Sequence, residues 1–158
     1  MSNSGFRLNS LPTSFISNIK VGIVVSTWND HITSELLKGA IEELKTNGLS
    51  SDQIVISEVP GAFELPLAAQ WMFQKSDGIQ AVICLGCVIK GDTPHFDYVC
   101  LGATNGIMEV GLKFNKPCIY GVITTNNEQQ AFDRIGGPNG HKGKEAAQTA
   151  LQLLALQN

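Results

Sequence analysis

The sequence has few charged residues and no excess of positive ones. Charged side chains make up 16% of the 158 residues, and the formal net charge is -3 at pH 7. Nucleic-acid-binding domains normally carry a basic patch, and none is visible here, so we predict no nucleic-acid partner. A low charge also leaves few polar side chains to cover a monomer, which favours extensive subunit contacts.

Long apolar runs are absent as well. The longest one, residues 81–89, is far too short to cross a membrane. Residues 1–5 do not combine a basic region with an apolar run, as a secretory signal would. We therefore expect a cytoplasmic protein with no membrane partner.

Cysteines are few, and their spacing does not indicate a metal site. Cys84 and Cys87 form a C-x-x-C pattern inside a predicted strand, where residues three apart point to opposite faces. No second pair with zinc-site spacing accompanies them. We predict reduced thiols and no metal site.

Common nucleotide and hydrolase motifs are missing too. The sequence contains no G-x-x-x-x-G-K-[ST], no G-x-G-x-x-G after the first predicted strand and no G-x-S-x-G. These absences argue against the usual nucleotide-binding and hydrolase functions of a parallel sheet.

Strand-like and helix-like segments alternate after a polar N-terminal arm, residues 1–18. The predicted strands are 19–25, 53–57, 80–89 and 118–123, and the predicted helices are 34–45, 62–75, 95–114, 128–133 and 144–155. This alternation predicts one α/β domain, residues 19–158, built as a three-layer α/β/α sandwich. Right-handed crossovers give a four-stranded parallel, flavodoxin-like sheet with the order 2-1-3-4. Residues 6–11 could add a strand, either to the sheet of their own chain or to that of a neighbouring subunit.

Distinctive residues follow each predicted strand, where ligands bind in such sheets. Trp28 and Asn29 follow the first strand, and Phe63 with Glu64 lies just after the second. Trp28 could stack on a planar heterocycle, and Phe63 with Glu64 could form an aromatic wall beside a hydrogen-bond acceptor. Each also has a plain structural explanation, as packing or as a carboxylate in a first helical turn.

The loop after the third strand carries the most informative residues. Gly91 allows a close approach of the backbone to a ligand, and with Lys90 and the following helix start it forms a candidate anion cradle. His95, at that helix start, suits proton transfer near neutral pH. The alternatives are a helix cap for Asp92 and simple coverage of the helix start for His95.

Arg134, His31 and His141 lie outside these loops. Arg134 could clamp a phosphate, although a surface ion pair is the usual role of a lone arginine. His31 and His141 have no comparable setting, and we expect both to be exposed to solvent.

Three segments together, 59–66, 86–97 and 121–134 with 140–143, resemble the lumazine synthase family of riboflavin biosynthesis. The resemblance implies a transferase that condenses 5-amino-6-(D-ribitylamino)uracil with 3,4-dihydroxy-2-butanone 4-phosphate. The product would be 6,7-dimethyl-8-ribityllumazine, with phosphate and water released. This chemistry implies no metal and no cofactor.

The resemblance also implies roles for individual residues. His95 matches the histidine of proton transfer. The phosphate pocket corresponds to Gly91, Asp92, Thr93 and Arg134. The pyrimidine and ribityl positions correspond to Trp28, Asn29, Gly61, Ala62, Phe63, Glu64, Cys87, Val88, Ile89, Tyr120 and Lys142.

The family resemblance further implies a homopentamer in which Tyr120, Arg134 and Lys142 reach the neighbouring subunit's site. It leaves open a free pentamer or an icosahedral shell of pentamers, and an association with riboflavin synthase. Two departures from the family pattern are Ser26-Thr27 before Trp28 and Tyr120 where phenylalanine is frequent. The Tyr120 hydroxyl therefore needs a partner. A non-catalytic flavin- or lumazine-binding paralogue and a shell-forming structural protein remain the alternatives.

Overall fold

The computed structural model describes residues 11–75 and 78–157. The helices in this part of the chain are α1 Thr13–Ile16, α2 Asp30–Thr46, α3 Leu65–Lys75, α4 His95–Phe114, α5 Glu128–Phe132 and α6 Lys142–Gln157. The strands are β1 Val21–Ser26, β2 Ile54–Val59, β3 Ala81–Ile89, β4 Cys118–Thr125, β5 Ile135–Gly137 and β6 Gly140–His141. Two 3-10 turns, Ser51–Gln53 and Ala62–Glu64, precede β2 and α3.

Strands β1 to β4 form one parallel sheet in the order β2-β1-β3-β4, which confirms the predicted fold. Val21 pairs with both Ile54 and Ala81, and Val82 pairs with Cys118. The chain passes from β1 outward to β2 and then returns across β1 to β3. The loops after β1 and β3 therefore leave in opposite directions, and a crevice opens between them at the carboxyl ends.

Side chains along the central strands enter two separate cores. Ile23 and Leu85 pack with α2 and α6, whereas Val24 and Cys84 pack with α3 and α4. Because both faces of β1 and β3 are covered, their sequences are almost continuously apolar. Cys87 lies in the first core and Cys84 in the second, so the thiols of the C-x-x-C pattern point to opposite faces, as predicted. All four cysteines are free.

Helix α2 begins at Asp30, four residues before the predicted start. Asn29 adopts a left-handed backbone conformation, φ 60° and ψ 47°, which turns the chain from β1 directly into the helix. The Thr33 hydroxyl donates to the Ser26 carbonyl oxygen at 2.6 Å and ties this first turn to the strand. The polar first turn carries little apolar periodicity, which explains the late predicted start.

The glycine-rich stretch before α6 contains a small antiparallel hairpin, β5–β6, that the sequence did not predict. Gly136 and Gly140 have positive φ values of 115° and 80°, which only glycine adopts readily. The segment therefore folds back sharply, and α6 begins at Lys142, two residues before its predicted start.

The last residues of the predicted N-terminal arm pack on the domain. Ile16 and Ile19 are buried, and the Gln53 side-chain amide donates to both of their carbonyl oxygens at 2.7 Å. The additional strand predicted at residues 6–11 lies outside the described residues, apart from Leu11. In residues 11–75 and 78–157, no helix is long and apolar enough to cross a membrane.

Replacing Gly143 by alanine should destabilise the fold by about 1–3 kcal/mol. A Cβ at Gly143 would overlap the carbonyl group of Leu36, so α2 and α6 would have to move apart. Urea unfolding at a fixed protein concentration measures the loss. Gly91→Ala is the matched control, because a Cβ there meets no described atom within 4 Å. Equal stability of the two variants would contradict the close-approach role of Gly143.

Candidate active site

A cavity of about 610 Å³ opens at the carboxyl ends of β1, β2 and β3, in the crevice between the diverging loops. It is lined by Trp28, Asn29, Pro60, Gly61, Ala62, Phe63, Glu64, Cys87, Val88, Ile89, Gly91, Thr93, His95, Phe96, Tyr98 and Val99. Most of the residues that the sequence predicts for the site therefore surround one space.

Trp28 is held at the cavity mouth by its backbone. The N–H of Thr27 donates to the Val59 carbonyl oxygen at 2.8 Å, and that of Trp28 donates to Pro60 at 2.9 Å. These bonds continue the β1–β2 pairing past the end of the sheet. The indole itself remains 72% exposed, so a planar ligand has access to it.

Asn29 links the ends of two strands. Its side-chain amide donates to the Cys87 carbonyl oxygen at 3.1 Å, joining the loop after β1 to the end of β3. Because the left-handed backbone of Asn29 directly follows Trp28, this bond also holds the loop that presents the indole.

Asn29→Ala should lose about 2 kcal/mol of stability, from the left-handed backbone and the lost hydrogen bond together. Asn29→Gly removes only the bond, because glycine adopts this backbone freely, and should recover about half of the loss. Denaturant unfolding measures both variants. The same loss for alanine and glycine would show that the backbone conformation contributes nothing.

Phe63 and Pro66 lie close to α4 because two glycines make room for them. A Cβ at Gly102 would overlap the Phe63 ring, and one at Gly106 would lie 2.7 Å from Pro66. The turn Ala62–Glu64 and the start of α3 therefore rest against the middle of α4. Phe63 remains 59% exposed on the cavity side.

The loop from Gly91 to Thr93 leads into α4, whose first residue is His95. Pro94 occupies the N-cap position and no side chain caps the helix, so the proposed capping role of Asp92 is wrong. The Asp92 side chain has no hydrogen-bond partner in the part of the chain that the structure describes. The uncapped amide groups and the open space at Gly91 suit an anionic ligand.

The site does not favour thiol chemistry. Burial raises the pKa of the Cys87 thiol to about 12, and the nearby Glu128 carboxylate acts in the same direction. A thiol with this pKa stays protonated at neutral pH and is a poor nucleophile. Among the described residues, no three His, Cys, Asp or Glu side chains lie together as a metal site.

Comparison with known proteins identifies the family of the chain. Residues 18–158 match the family model described as 6,7-dimethyl-8-ribityllumazine synthase. A protein of that name from Cytophaga hutchinsonii is 55% identical over 140 residues, 89% of this chain and 87% of the relative. One from Phocaeicola vulgatus is 50% identical over 151 residues, 96% of this chain and 88% of the relative.

The chain belongs to the 6,7-dimethyl-8-ribityllumazine synthase family. It is therefore an enzyme, a transferase of riboflavin biosynthesis. The family assignment implies small-molecule substrates and a homo-oligomer.

Four residues that the lumazine synthase resemblance assigns to the site do not line this cavity: Asp92, Tyr120, Arg134 and Lys142. The Tyr120 hydroxyl accepts a hydrogen bond from Thr104 at 3.1 Å, which supplies the partner that the hydroxyl needs. Burial raises the pKa of Tyr120, while the Thr104 bond acts in the opposite direction.

Arg134 and Lys142 lie at the base of the β5–β6 hairpin. One guanidinium nitrogen of Arg134 donates to the Gln130 carbonyl oxygen at 2.7 Å, and no described carboxylate forms an ion pair with it. The surface ion pair considered for Arg134 is thus not observed in the described structure. Lys142 pairs with Glu145 at 2.7 Å.

The cavity wall also contains four residues not assigned to the site from the sequence: Pro60, Phe96, Tyr98 and Val99. Tyr98 lies one turn after His95 and is 71% exposed. Helical spacing from His95 could have indicated it.

The two remaining histidines differ from each other. His31 is exposed, as predicted, and its Nε2 lies 2.7 Å from Glu128. The expectation of an exposed His141 is wrong, since its side chain is half-buried against α2.

Proposed function

We propose that the chain condenses 5-amino-6-(D-ribitylamino)uracil with 3,4-dihydroxy-2-butanone 4-phosphate to give 6,7-dimethyl-8-ribityllumazine, phosphate and water. The observation that carries this proposal is one cavity with an exposed indole, Trp28, and an exposed imidazole, His95, on its walls. An aromatic face can stack on a planar diamine, and a proton-transfer group can assist the condensation of that diamine with a ketone.

The pyrimidine ring stacks on Trp28 in this proposal. The backbone groups of β3 at its carboxyl end fix the ring edge, and the turn after β2 holds the ribityl hydroxyls. The residues assigned to these two substrate parts on this chain are Asn29, Gly61, Ala62, Phe63, Glu64, Cys87, Val88 and Ile89. Support comes from their common location around the cavity.

The phosphate of the second substrate lies at the loop of Gly91, Asp92 and Thr93. The space beside Gly91 is open, and the first N–H groups of α4 have no side-chain cap, so an anion can bind there. This position brings the carbon chain of the substrate next to His95.

His95 moves protons in this mechanism. The 5-amino group attacks the ketone, and loss of water gives an imine. His95 then accepts a proton from the carbon next to the imine while phosphate leaves from the far end of the chain. The enol left by this elimination becomes a ketone, because His95 returns the proton to its terminal carbon and the hydroxyl proton is lost to solvent. The ribitylamino nitrogen then attacks this ketone and closes the second ring, and a second water is lost.

The neighbouring subunit completes the site in this proposal, with Tyr120, Arg134 and Lys142. None of these residues lines the cavity of its own chain, which is in accord with such sharing. Exposed apolar side chains on α4 also favour a homo-oligomer: Tyr98, Leu101, Met108 and Leu112. We propose that this homo-oligomer is a pentamer, either free or as one of twelve pentamers in a shell. Riboflavin synthase is a candidate partner. The free cysteines fit a reducing compartment such as the cytoplasm.

The test is to mix purified protein with both substrates and to follow lumazine absorbance, with sedimentation of the same sample to report assembly. Product formation at a rate proportional to enzyme concentration supports the proposal. An assembled protein that forms no product refutes it. Tight flavin or lumazine binding without turnover would then identify a binding paralogue, and assembly with neither property would identify a structural shell protein.

A further inference from the structure

The His141 side chain sits in a notch on α2 that a glycine creates. A Cβ at Gly39 would overlap the imidazole ring, with Cε1 as its nearest atom. Gly39 is fully enclosed, and the ring above it is half-buried. The contact is therefore a packed one between the β5–β6 hairpin and α2.

The same hairpin holds two cationic residues together at its base. The Lys142 N–H donates to the Arg134 carbonyl oxygen at 2.8 Å, and His141 pairs with Ile135 inside the hairpin. The Asn139 N–H donates to the Asp133 carbonyl oxygen at 2.9 Å. A movement of the hairpin relative to α2 would therefore shift Arg134 and Lys142 as a unit.

We propose that His141 is a positioning residue. Its contact with Gly39 holds the β5–β6 hairpin against α2, and we call this contact the lock. The lock fixes Arg134 and Lys142 at the positions where they bind the substrate phosphate and pyrimidine. This inference rests on the proposed function for its effect on substrates. The lock itself is a property of the fold and can be measured without any substrate.

The surroundings of His141 disfavour the charged form of its ring. Its Nδ1 is buried with no hydrogen-bond partner among the described residues. Burial lowers the pKa of His141, and the Lys144 ammonium on α6 lowers it further, while the Glu42 and Glu35 carboxylates on α2 and its own backbone act in the opposite direction. Lys144 also pairs with Glu42 at 3.4 Å, which offsets part of both charges.

The sign of the pH effect follows from the lowered pKa. An unseated histidine takes up a proton as the pH falls through about 6.5, whereas the seated ring resists protonation. The lock is therefore fully stable above that pH and weakens below it. The hairpin should open more often in mild acid.

Hydrogen–deuterium exchange of the assembled protein tests the lock directly. We expect faster exchange in residues 135–141 of His141→Ala, with little change in the sheet. In the wild type, hairpin exchange corrected for intrinsic chemistry should rise as the pH falls below about 6.5. His141→Asn, which cannot titrate, should lose that rise. Unchanged hairpin exchange in His141→Ala would overturn the proposal.

Gly39→Ala supplies an independent variant at the other side of the contact. It should also release the hairpin, and adding His141→Ala to it should cause little further release, because one contact is broken in both cases. In the double variant, the missing imidazole leaves room for the new methyl group, so this variant can be measured even if Gly39→Ala alone fails to fold. If the two substitutions increased hairpin exchange by fully additive amounts, the proposed contact between His141 and Gly39 would be refuted. Lys45→Ala, at an exposed position of α2 away from His141, is the control that should change nothing.

Steady-state kinetics tests the consequence for substrates. His141→Ala should raise KM for the phosphate substrate by at least about fivefold with a much smaller change in kcat, because misplaced cations weaken binding. A changed exchange pattern with an unchanged KM would overturn the positioning role. If the wild type makes no lumazine, the proposed function fails, and exchange alone still decides whether the hairpin is locked.

Discussion

His95→Ala is expected to lower kcat by about 10²- to 10⁴-fold while leaving assembly intact. His95 is exposed at the start of α4, so its removal leaves no cavity in either core. The loss should therefore come from the proton-transfer steps and not from the fold.

Some turnover should remain in this variant. One acid–base group contributes roughly 3–5 kcal/mol, whereas orientation of two reactants can contribute up to about 7–11 kcal/mol. The cavity that orients the substrates is built mainly by β-strand ends and loops that His95→Ala does not touch.

Two further variants make the His95 measurement specific. His95→Gln keeps a polar side chain that cannot shuttle a proton, and it should be as slow as alanine. His31→Ala removes an imidazole that lies outside the cavity and contacts Glu128, and it should keep its turnover. A normal kcat in His95→Gln would remove His95 from the proton-transfer role.

Arg134→Ala should raise KM for the phosphate substrate by about 10- to 150-fold, the equivalent of 1.5–3 kcal/mol for a hydrogen bond to a charged group. No described carboxylate neutralises the Arg134 guanidinium, so its charge is available to an anion. KM is measured with the pyrimidine substrate saturating. Arg134→Lys keeps the charge but loses the planar fork, and it should recover only part of the affinity. An unaltered KM in Arg134→Ala would refute the clamp.

Mixed assemblies test whether Arg134 acts on the neighbouring subunit. When equal amounts of His95→Ala and Arg134→Ala chains are unfolded and reassembled together at random, about one interface in four should combine an intact His95 with an intact Arg134 from different chains. At a concentration of the phosphate substrate far below the KM of Arg134→Ala, activity should rise above that of either variant alone. No recovery in verified mixed assemblies would mean that both residues serve one chain's own site.

The strands and their order were predictable because each depends on a short local pattern. β1 and β3 read as unbroken apolar segments, and the alternation with helices left few topologies once crossovers are right-handed. The loops after β1, β2 and β3 had to meet at one edge of that sheet. The common location of Trp28, Phe63 and His95 followed from the same rule.

Other features depended on contacts between residues far apart in sequence. The periodicity of α2 did not reveal its start at Asp30, because the left-handed Asn29 is held by a carbonyl of β3, a strand that follows much later. His141 looked like an ordinary exposed histidine for the same reason, since its seat is a glycine on a distant helix. No local pattern around either residue carries this information.

The loop from Gly91 to His95 shows most clearly which features were predictable from the sequence and which depended on the fold. A glycine, a helix start and an imidazole after β3 could be predicted from the sequence, because these are properties of adjacent residues. The uncapped start of α4 beside Asp92, and the presence of Pro60 and Tyr98 in the cavity wall, became clear only from the folded molecule. Those facts depend on how the sheet brings distant segments together and on which side chains then occupy the space between them.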